Sequence, residues 1–160
     1  MASNVPFVKQ VAWISLLPQL VVMGLIGLAC YLAGAKENTV LYTGGLYVAL
    51  SFTLRNVVAK QHREGIRLVK KQDYAGAILL FEASYSHFNE NSWIDEYRYV
   101  TLLSSSRVCY REMALCNIAF CYSQIGEGKK AAEYYRQTLE NYPENGVAQA
   151  GLRMLESAQK

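Results

Sequence analysis

The feature that most constrains this chain is an uncharged segment, residues 11–35, with the sequence VAWISLLPQLVVMGLIGLACYLAGA. At about 1.5 Å of rise per residue, a helix of this length exceeds the roughly 30 Å thickness of a bilayer's hydrocarbon core. Almost every position is apolar, whereas a surface helix of a soluble protein carries polar residues along one face. The segment therefore predicts a membrane-spanning helix over residues 11–34.

A second apolar segment, TVLYTGGLYVALSFTL, follows after a short connection at residues 36–38. It becomes long enough to span a bilayer if it extends to residue 58 and Arg55 reaches the interface with its long side chain. We therefore predict a second span over residues 39–58. Residues 1–58 would then form a transmembrane helical hairpin.

Two other interpretations of the first segment stay open. The tripeptide AGA at residues 33–35 resembles a signal-peptidase site preceded by Lys9, although the apolar run is longer than a signal core and a second one follows. The hairpin could also be a buried helix pair of a soluble protein. The near absence of polar positions in the first segment argues against that class of structure.

Basic residues concentrate directly after the second segment. The positive-inside rule therefore places both termini on the cytoplasmic side of an integral membrane protein, with a bacterial cytoplasmic membrane as the expected location. The same residues could contact anionic lipid headgroups, or could serve only to set the topology. The residues predicted for headgroup contact are Arg55, Lys60, Arg63 and Arg67.

The remaining two thirds of the chain has the charge pattern of an ordinary globular domain. The stretch IAFCYSQIGEGKKAAEYYRQTLENYPEN (118–145) contains two amphipathic patterns separated by Gly126 and Gly128 and ended by Pro143. Apolar residues recur at helical spacing on both sides of the glycines. The stretch therefore predicts two helices joined by a tight turn.

This helix pair resembles a tetratricopeptide (TPR) repeat, a 34-residue unit that stacks in arrays. The matching positions are Leu115, Ile118, Ala119, Tyr122, Ala131, Tyr135 and Pro143. A second copy has Gly65, Leu68, Ala77 and Phe81 at the same offsets, but has Gln61 and Glu64 at apolar positions and Asn89 in place of the proline. The resemblance implies an all-α, TPR-like domain over residues 59–160, with repeats at 58–91 and 112–145.

The two copies are 54 positions apart, so about 20 residues intervene between them. Residues 92–111 begin with a capping box at Ser92 and Asp95 and then carry Trp93, Tyr97 and Val100 on one helical face. We predict an inserted helix, or an extension into the second repeat, over residues 92–111. Residues 146–158 have a further helical pattern and are predicted to form the C-terminal capping helix of the array.

The resemblance also implies a function and a surface. TPR arrays bind partners on a concave face lined by the first helix of each pair, which indicates a membrane-anchored adaptor or scaffold for protein–protein interaction. The alternative function is that of a structural or assembly subunit of a larger membrane complex. The alternative for the surface is a groove that is filled by the inserted helix. The predicted groove residues are His62, Arg63, Ile66, Lys70, Met113, Asn117, Phe120 and Gln124, with Cys116 beside them.

No pattern indicates catalysis, a cofactor or a metal site, so we expect a protein that is not an enzyme. The four cysteines form no C-x-x-C pair, and neither His62 nor His87 has ligand spacing. The serines at 104–106 have no histidine nearby in sequence, and Gly126 and Gly128 belong to no phosphate loop. A net charge of +3 without a long basic run gives no indication of nucleic-acid binding. The predicted partners are therefore proteins and the lipid bilayer.

Overall fold

The computed structural model describes residues 12–158, except for the side chain of residue 158. The start of the first predicted span at Val11, the flanking Lys9 and the last two residues lie outside the described part. Within it, all regular secondary structure is helical, which confirms the all-α prediction. After a 3-10 turn at Trp13–Ser15, the helices are α1 Leu16–Leu32, α2 Thr39–Val58, α3 Lys60–Lys70, α4 Tyr74–Glu90, α5 Ser92–Glu96, α6 Arg98–Thr101, α7 Tyr110–Gln124, α8 Gly128–Asn141 and α9 Gly146–Ala158.

The described chain divides into two compact units. The first, here called the hairpin unit, comprises residues 12–60 and 93–107. The second, here called the array unit, comprises residues 61–92 and 108–158. The sequence predicts residues 92–111 as an inserted helix of the C-terminal domain, or as an extension into the second repeat. The structure instead forms two short helices there and groups residues 93–107 with α1 and α2.

In the hairpin unit, α1 and α2 pack against each other and are joined by residues 33–38, so they run antiparallel. Gly34 ends α1 in a left-handed conformation (φ 93°), which lets the N–H of Ala35 donate to the carbonyl of Cys30 (3.1 Å). The two helices approach closely at Gly27, where an added Cβ would lie 3.3 Å from the Oγ1 of Thr43. A small residue at this position sets the helix spacing.

The segment Trp13–Leu32, the 3-10 turn with α1, is 20 residues long and has a mean hydropathy of 1.9. It alone among the described helices is long and apolar enough to cross a membrane. Its buried residues are Ser15 and Cys30, so it is not the core helix of this fold. Although α2 has the predicted bounds 39–58, its tyrosines, threonines and Arg55 lower its hydropathy, and this criterion does not confirm a second span.

In the array unit, five helices pack successively along the chain. α4 packs on α7, α7 on α8, and α8 on α9. α3 lies on α4 because Gly65 leaves room for the ring of Phe81, whose nearest atom would be 2.8 Å from a Cβ added there. Ala77 and Ala131, which occupy the same position in the two predicted repeats, are both completely buried.

The turn between α3 and α4 closes with a Schellman motif. The N–H of Asp73 donates to the carbonyl of Leu68 (3.0 Å), and the N–H of Gln72 donates to the carbonyl of Val69 (3.0 Å). Gln72 adopts the left-handed conformation that the motif requires (φ 63°). The first helix of this pair, α3, therefore ends in a turn whose hydrogen bonds are formed by backbone groups alone.

The turn between α7 and α8 repeats this pattern 54 positions later. The N–H of Glu127 donates to the carbonyl of Tyr122 (3.0 Å), the N–H of Gly126 donates to the carbonyl of Ser123 (3.4 Å), and Gly126 is left-handed (φ 83°). The offset equals the one that relates Ala77 to Ala131. The two helix pairs thus share the position of both the turn and the central alanine.

Candidate partner-binding surface

The four groove residues predicted on α7 differ in exposure. Gln124 is exposed, whereas Met113, Asn117 and Phe120 are half-buried. The ring of Phe120 packs on the cluster formed by Phe81, Ile118 and their neighbours, and contacts the ring of Tyr74 edge-on at 6.3 Å between centroids. Phe120 therefore contributes to the packing of α4 against α7, and only part of its side chain is accessible to a partner.

The four groove residues predicted on α3 also separate into two groups. Arg63 and Lys70 are exposed, and Ile66 is half-buried against the same apolar cluster as Phe120. His62 is only 3% exposed, and its ring lies between those of Phe81 and Tyr110, at 5.3 Å from each. The prediction that His62 lines an open groove is therefore wrong. Because His62 and Gly65 are three positions apart on one helix, both face α4.

Cys116 occupies the position that corresponds to His62 in the second helix pair, and it too is buried rather than displayed in a groove. Burial raises the pKa of its thiol to about 12, with a smaller contribution from the neighbouring Glu112 carboxylate. Hydrogen bonds with Thr138 and Asn145 act in the opposite direction on that pKa without offsetting the burial. Cys116 is therefore a neutral core thiol at physiological pH.

A polar pair recurs at corresponding positions in the two helix pairs. The Oγ of the buried Ser84 lies 3.4 Å from the Nδ1 of His62, and Thr138 is hydrogen-bonded to Cys116. The first contact joins α3 to α4, and the second joins α7 to α8. These contacts fix how the helices cross, so His62 and Cys116 have structural roles.

Asn145, which is not among the predicted site residues, connects α7 to α9. Its Nδ2 donates to the Glu112 carboxylate on α7 (2.7 Å), and its Oδ1 accepts the N–H of Ala148 (2.7 Å), which caps the start of α9. An asparagine immediately before a helical pattern is an N-cap signal that could have identified it. The link to Glu112, 33 positions away, has no local signal.

The predicted surface that remains open therefore consists of the basic side chains of α3 and the polar side chains of α7. The half-buried Asn117 follows the core residue Leu115, which is 1% exposed, by two positions. Its amide offers donors and an acceptor, a combination suited to an extended peptide backbone. Arg63 and Lys70 are exposed cations that would favour an acidic partner.

A separate depression of about 260 Å³ opens between α8 and α9. Its charged lining includes Arg136 and Glu156, whose side chains form an ion pair at 3.7 Å across the two helices. Both side chains are more than half exposed, so the pair contributes little to stability. The depression shares no residue with the predicted groove.

No group of three His, Cys, Asp or Glu side chains within residues 12–158 could hold a metal ion. In the serine run, the Oγ of Ser104 accepts the N–H of Ser106 (3.3 Å), and Ser104 is buried. These serines shape a loop of the hairpin unit.

Comparison with known proteins gives no further identification, because no family model, no curated protein and no solved structure matches this chain.

Proposed function

We propose that this chain is a membrane-anchored TPR-like protein that binds a protein partner at the cytoplasmic face of a membrane, as an adaptor or scaffold. The observation that carries the proposal is the recurrence of turn, central alanine and polar pair at an offset of 54 residues. Gln72 and Gly126 are both left-handed, Ala77 and Ala131 are both fully buried, and the two polar pairs occupy corresponding positions. Stacked helix pairs of this kind expose the face of their leading helices.

The anchor is the hairpin of α1 and α2, proposed to span the membrane twice. Most side chains of α1 and α2 are exposed although the sequence of both is largely apolar, and large exposed apolar surfaces indicate contact with another phase or another protein. The uncharged α1 supports spanning by length and composition. For α2 the support is its 20-residue length together with Arg55 near its end, where a long cationic side chain is tolerated at a membrane interface.

The proposal is tested at Asn117. Replacement by alanine removes the amide from the predicted groove while leaving the fold intact, because Asn117 is only half-buried. Loss of its hydrogen bonds should weaken partner association by about 1–3 kcal/mol, roughly 5- to 150-fold. The measurement is recovery of co-purifying proteins from native membranes with tagged wild-type and variant chains.

Glu140→Ala provides the matched control, since Glu140 is an exposed residue on α8, outside the predicted groove. It should recover the same partners as the wild type. If Asn117→Ala leaves recovery unchanged, the groove is not the working surface. If it unfolds the chain, Asn117 has a structural role.

A second candidate function, a structural subunit of a larger membrane complex, has one observation in its favour. The small residues Gly45, Ala49 and Thr53 recur at four-residue spacing on α2, and all three are exposed. Such a face allows close approach of another membrane helix. Expression of the chain alone discriminates the two: an adaptor accumulates as a stable protein, whereas an orphan subunit aggregates or is degraded.

A further inference from the structure

The two short helices α5 and α6 present an apolar, aromatic surface that nothing in the hairpin unit covers. Trp93, Tyr97 and Val100 are 58%, 65% and 50% exposed. They are spaced by four and three positions, so they recur on one side of the segment. Side chains of this size are normally buried in a soluble domain, and their exposure together indicates that this surface contacts another protein or a membrane.

Other residues of the same segment are tightly packed, so the exposed side chains are carried by a fixed backbone. Asp95, Leu102 and Leu103 are essentially inaccessible. The Oγ1 of Thr101 donates to the carbonyl of Ile94 (2.7 Å), which ties the two helices together across their break. Residues 93–107 therefore form a platform whose buried side is packed and whose aromatic side is open.

The guanidinium of Arg98 holds the loop that follows α6. It donates to the carbonyls of Asp95 (3.0 Å), Ser106 (3.0 Å) and Arg107 (2.6 Å). The Arg98 side chain thus ties α6 both to α5 and to the loop that follows α6. These bonds fix the backbone of the segment that carries the aromatic residues.

The platform is attached to one end of the α1–α2 hairpin. The N–H of Ala12, just before the 3-10 turn, donates to the carbonyl of Ser105 (2.9 Å), and α6 packs on α1. Arg55, near the end of α2, donates to the carbonyls of Leu102 and Leu103. The platform thus lies where α1 begins and α2 ends. Trp13, at the same end, is 77% exposed.

This position fixes the depth of the platform in a bilayer, on the premise of the proposed function that the hairpin spans the membrane. A cationic side chain near the end of a spanning helix lies at headgroup level, and here the guanidinium of Arg55 is engaged by carbonyls of the platform itself. Tryptophan and tyrosine are the side chains enriched at that level, because their rings are apolar and carry one polar group. The aromatic side chains and their position at this end of the hairpin are both those expected of a surface in contact with lipid headgroups.

We propose that residues 93–107 form an interfacial element that rests on the lipid headgroup layer through Trp93, Tyr97 and Val100. The segment inserted between the two helix pairs then serves as a second membrane contact beside the hairpin. The chain is held to the bilayer at three points of one interface: the start of α1, the end of α2 and the platform.

The test uses the fact that the chain has two tryptophans. The full-length Trp13→Phe variant leaves Trp93 as the sole reporter, and it is reconstituted in phosphatidylcholine vesicles containing a minor fraction of phosphatidylglycerol. Brominated lipids, labelled either near the headgroup or near the bilayer centre, quench the fluorescence. We expect Trp93 to lose more intensity to the shallow label than to the deep one, and to be shielded from aqueous iodide.

A second reporter separates this proposal from the one on which it rests. In a Trp13→Phe, Trp93→Phe background, Leu25→Trp places the only tryptophan at an exposed position in the middle of α1. Deep-label quenching of this reporter with an iodide-accessible, unquenched Trp93 overturns the platform proposal and leaves the anchor standing. Absence of deep-label quenching at position 25 overturns both. A Trp93 shielded from iodide but not quenched by lipid assigns the surface to a second copy of the chain instead.

Discussion

At the scale of single residues, burial in the array unit disfavours the ionised forms of two cysteines and one tyrosine. Burial raises the pKa of the Cys116 and Cys121 thiols from 9.0 to about 12, and that of the Tyr135 phenol from 10.0 to about 12. These groups lie at the contacts between α7 and α8, where their neutral forms pack as small or aromatic core side chains. Their ionisation and the packing of the array are therefore coupled.

This coupling predicts that the free energy of unfolding falls in alkaline solution. In the unfolded chain these groups lose their protons from about pH 9–10 upward, whereas in the folded chain they keep them to about pH 12. The unfolded state binds fewer protons in that range, so stability decreases as the pH rises from about 9 to 12 and is unaffected by these groups below it. Urea unfolding of the full chain in detergent micelles, followed by circular dichroism at about pH 8 and about pH 10.5, measures the difference.

Cys116→Ala is the control for this effect. It removes one of the ionisable groups and should reduce the loss of stability between the two pH values, whatever it does to stability at neutral pH. Identical unfolding midpoints at both pH values for the wild type would contradict the assignment of these groups to the core.

At the scale of elements, the two helix pairs use the same turn with different residues. The left-handed position is a glutamine in the first turn and a glycine in the second. A non-glycine residue in this conformation costs about 1–2 kcal/mol, while glycine carries a smaller entropic cost in the unfolded chain. The two turns are thus unequal in local stability although their hydrogen bonds correspond.

We therefore expect Gln72→Gly to stabilise the array unit by about 0.5–1 kcal/mol. The reverse change, Gly126→Gln, should destabilise it by a similar amount, because it introduces the strain that Gln72 now carries. Thermal unfolding of both variants in the same detergent checks the opposite signs. Shifts of the same sign would show that the turns are not equivalent.

The contact between α7 and α8 depends on small residues. Ala131 is completely buried at that contact, so Ala131→Trp forces a large ring into a packed crossing and should cost on the order of 1–3 kcal/mol or more. Ala75→Trp is the matched control, since Ala75 lies on a helix of the same unit but is exposed. An unchanged melting temperature for Ala131→Trp would show that α7 and α8 do not cross at this residue.

At the scale of the whole molecule, the proposed topology places both ends of the chain on the cytoplasmic side. A cysteine introduced at Lys36, in the exposed connection between α1 and α2, should react with a membrane-impermeant maleimide in intact cells. One introduced at Lys160 should react only after the membrane is opened. The four native cysteines are buried, so they give a low background. The reverse labelling pattern would reject the topology.

Local sequence was sufficient for most helices of this molecule. The predicted segments 39–58 and 146–158 coincide with α2 and α9, because each has an apolar pattern bounded by residues that end helices. The turn at Gly126 and the buried alanines at 77 and 131 were also readable, since turn chemistry and helix period are properties of neighbouring residues. For the predicted groove, the sequence did not indicate which residues are exposed and which are buried.

The contacts between residues far apart in the chain could not be predicted from local sequence. His62 is buried because Phe81 and Tyr110, from two later helices, pack against its ring. Residues 93–107 join the hairpin unit because Arg55, 47 positions before Leu102, supplies donors to its carbonyls. Local sequence specifies where the chain is helical and where it is apolar, since both follow from the periodicity of neighbouring residues. Burial depends on which distant side chains meet, and no local pattern specifies that.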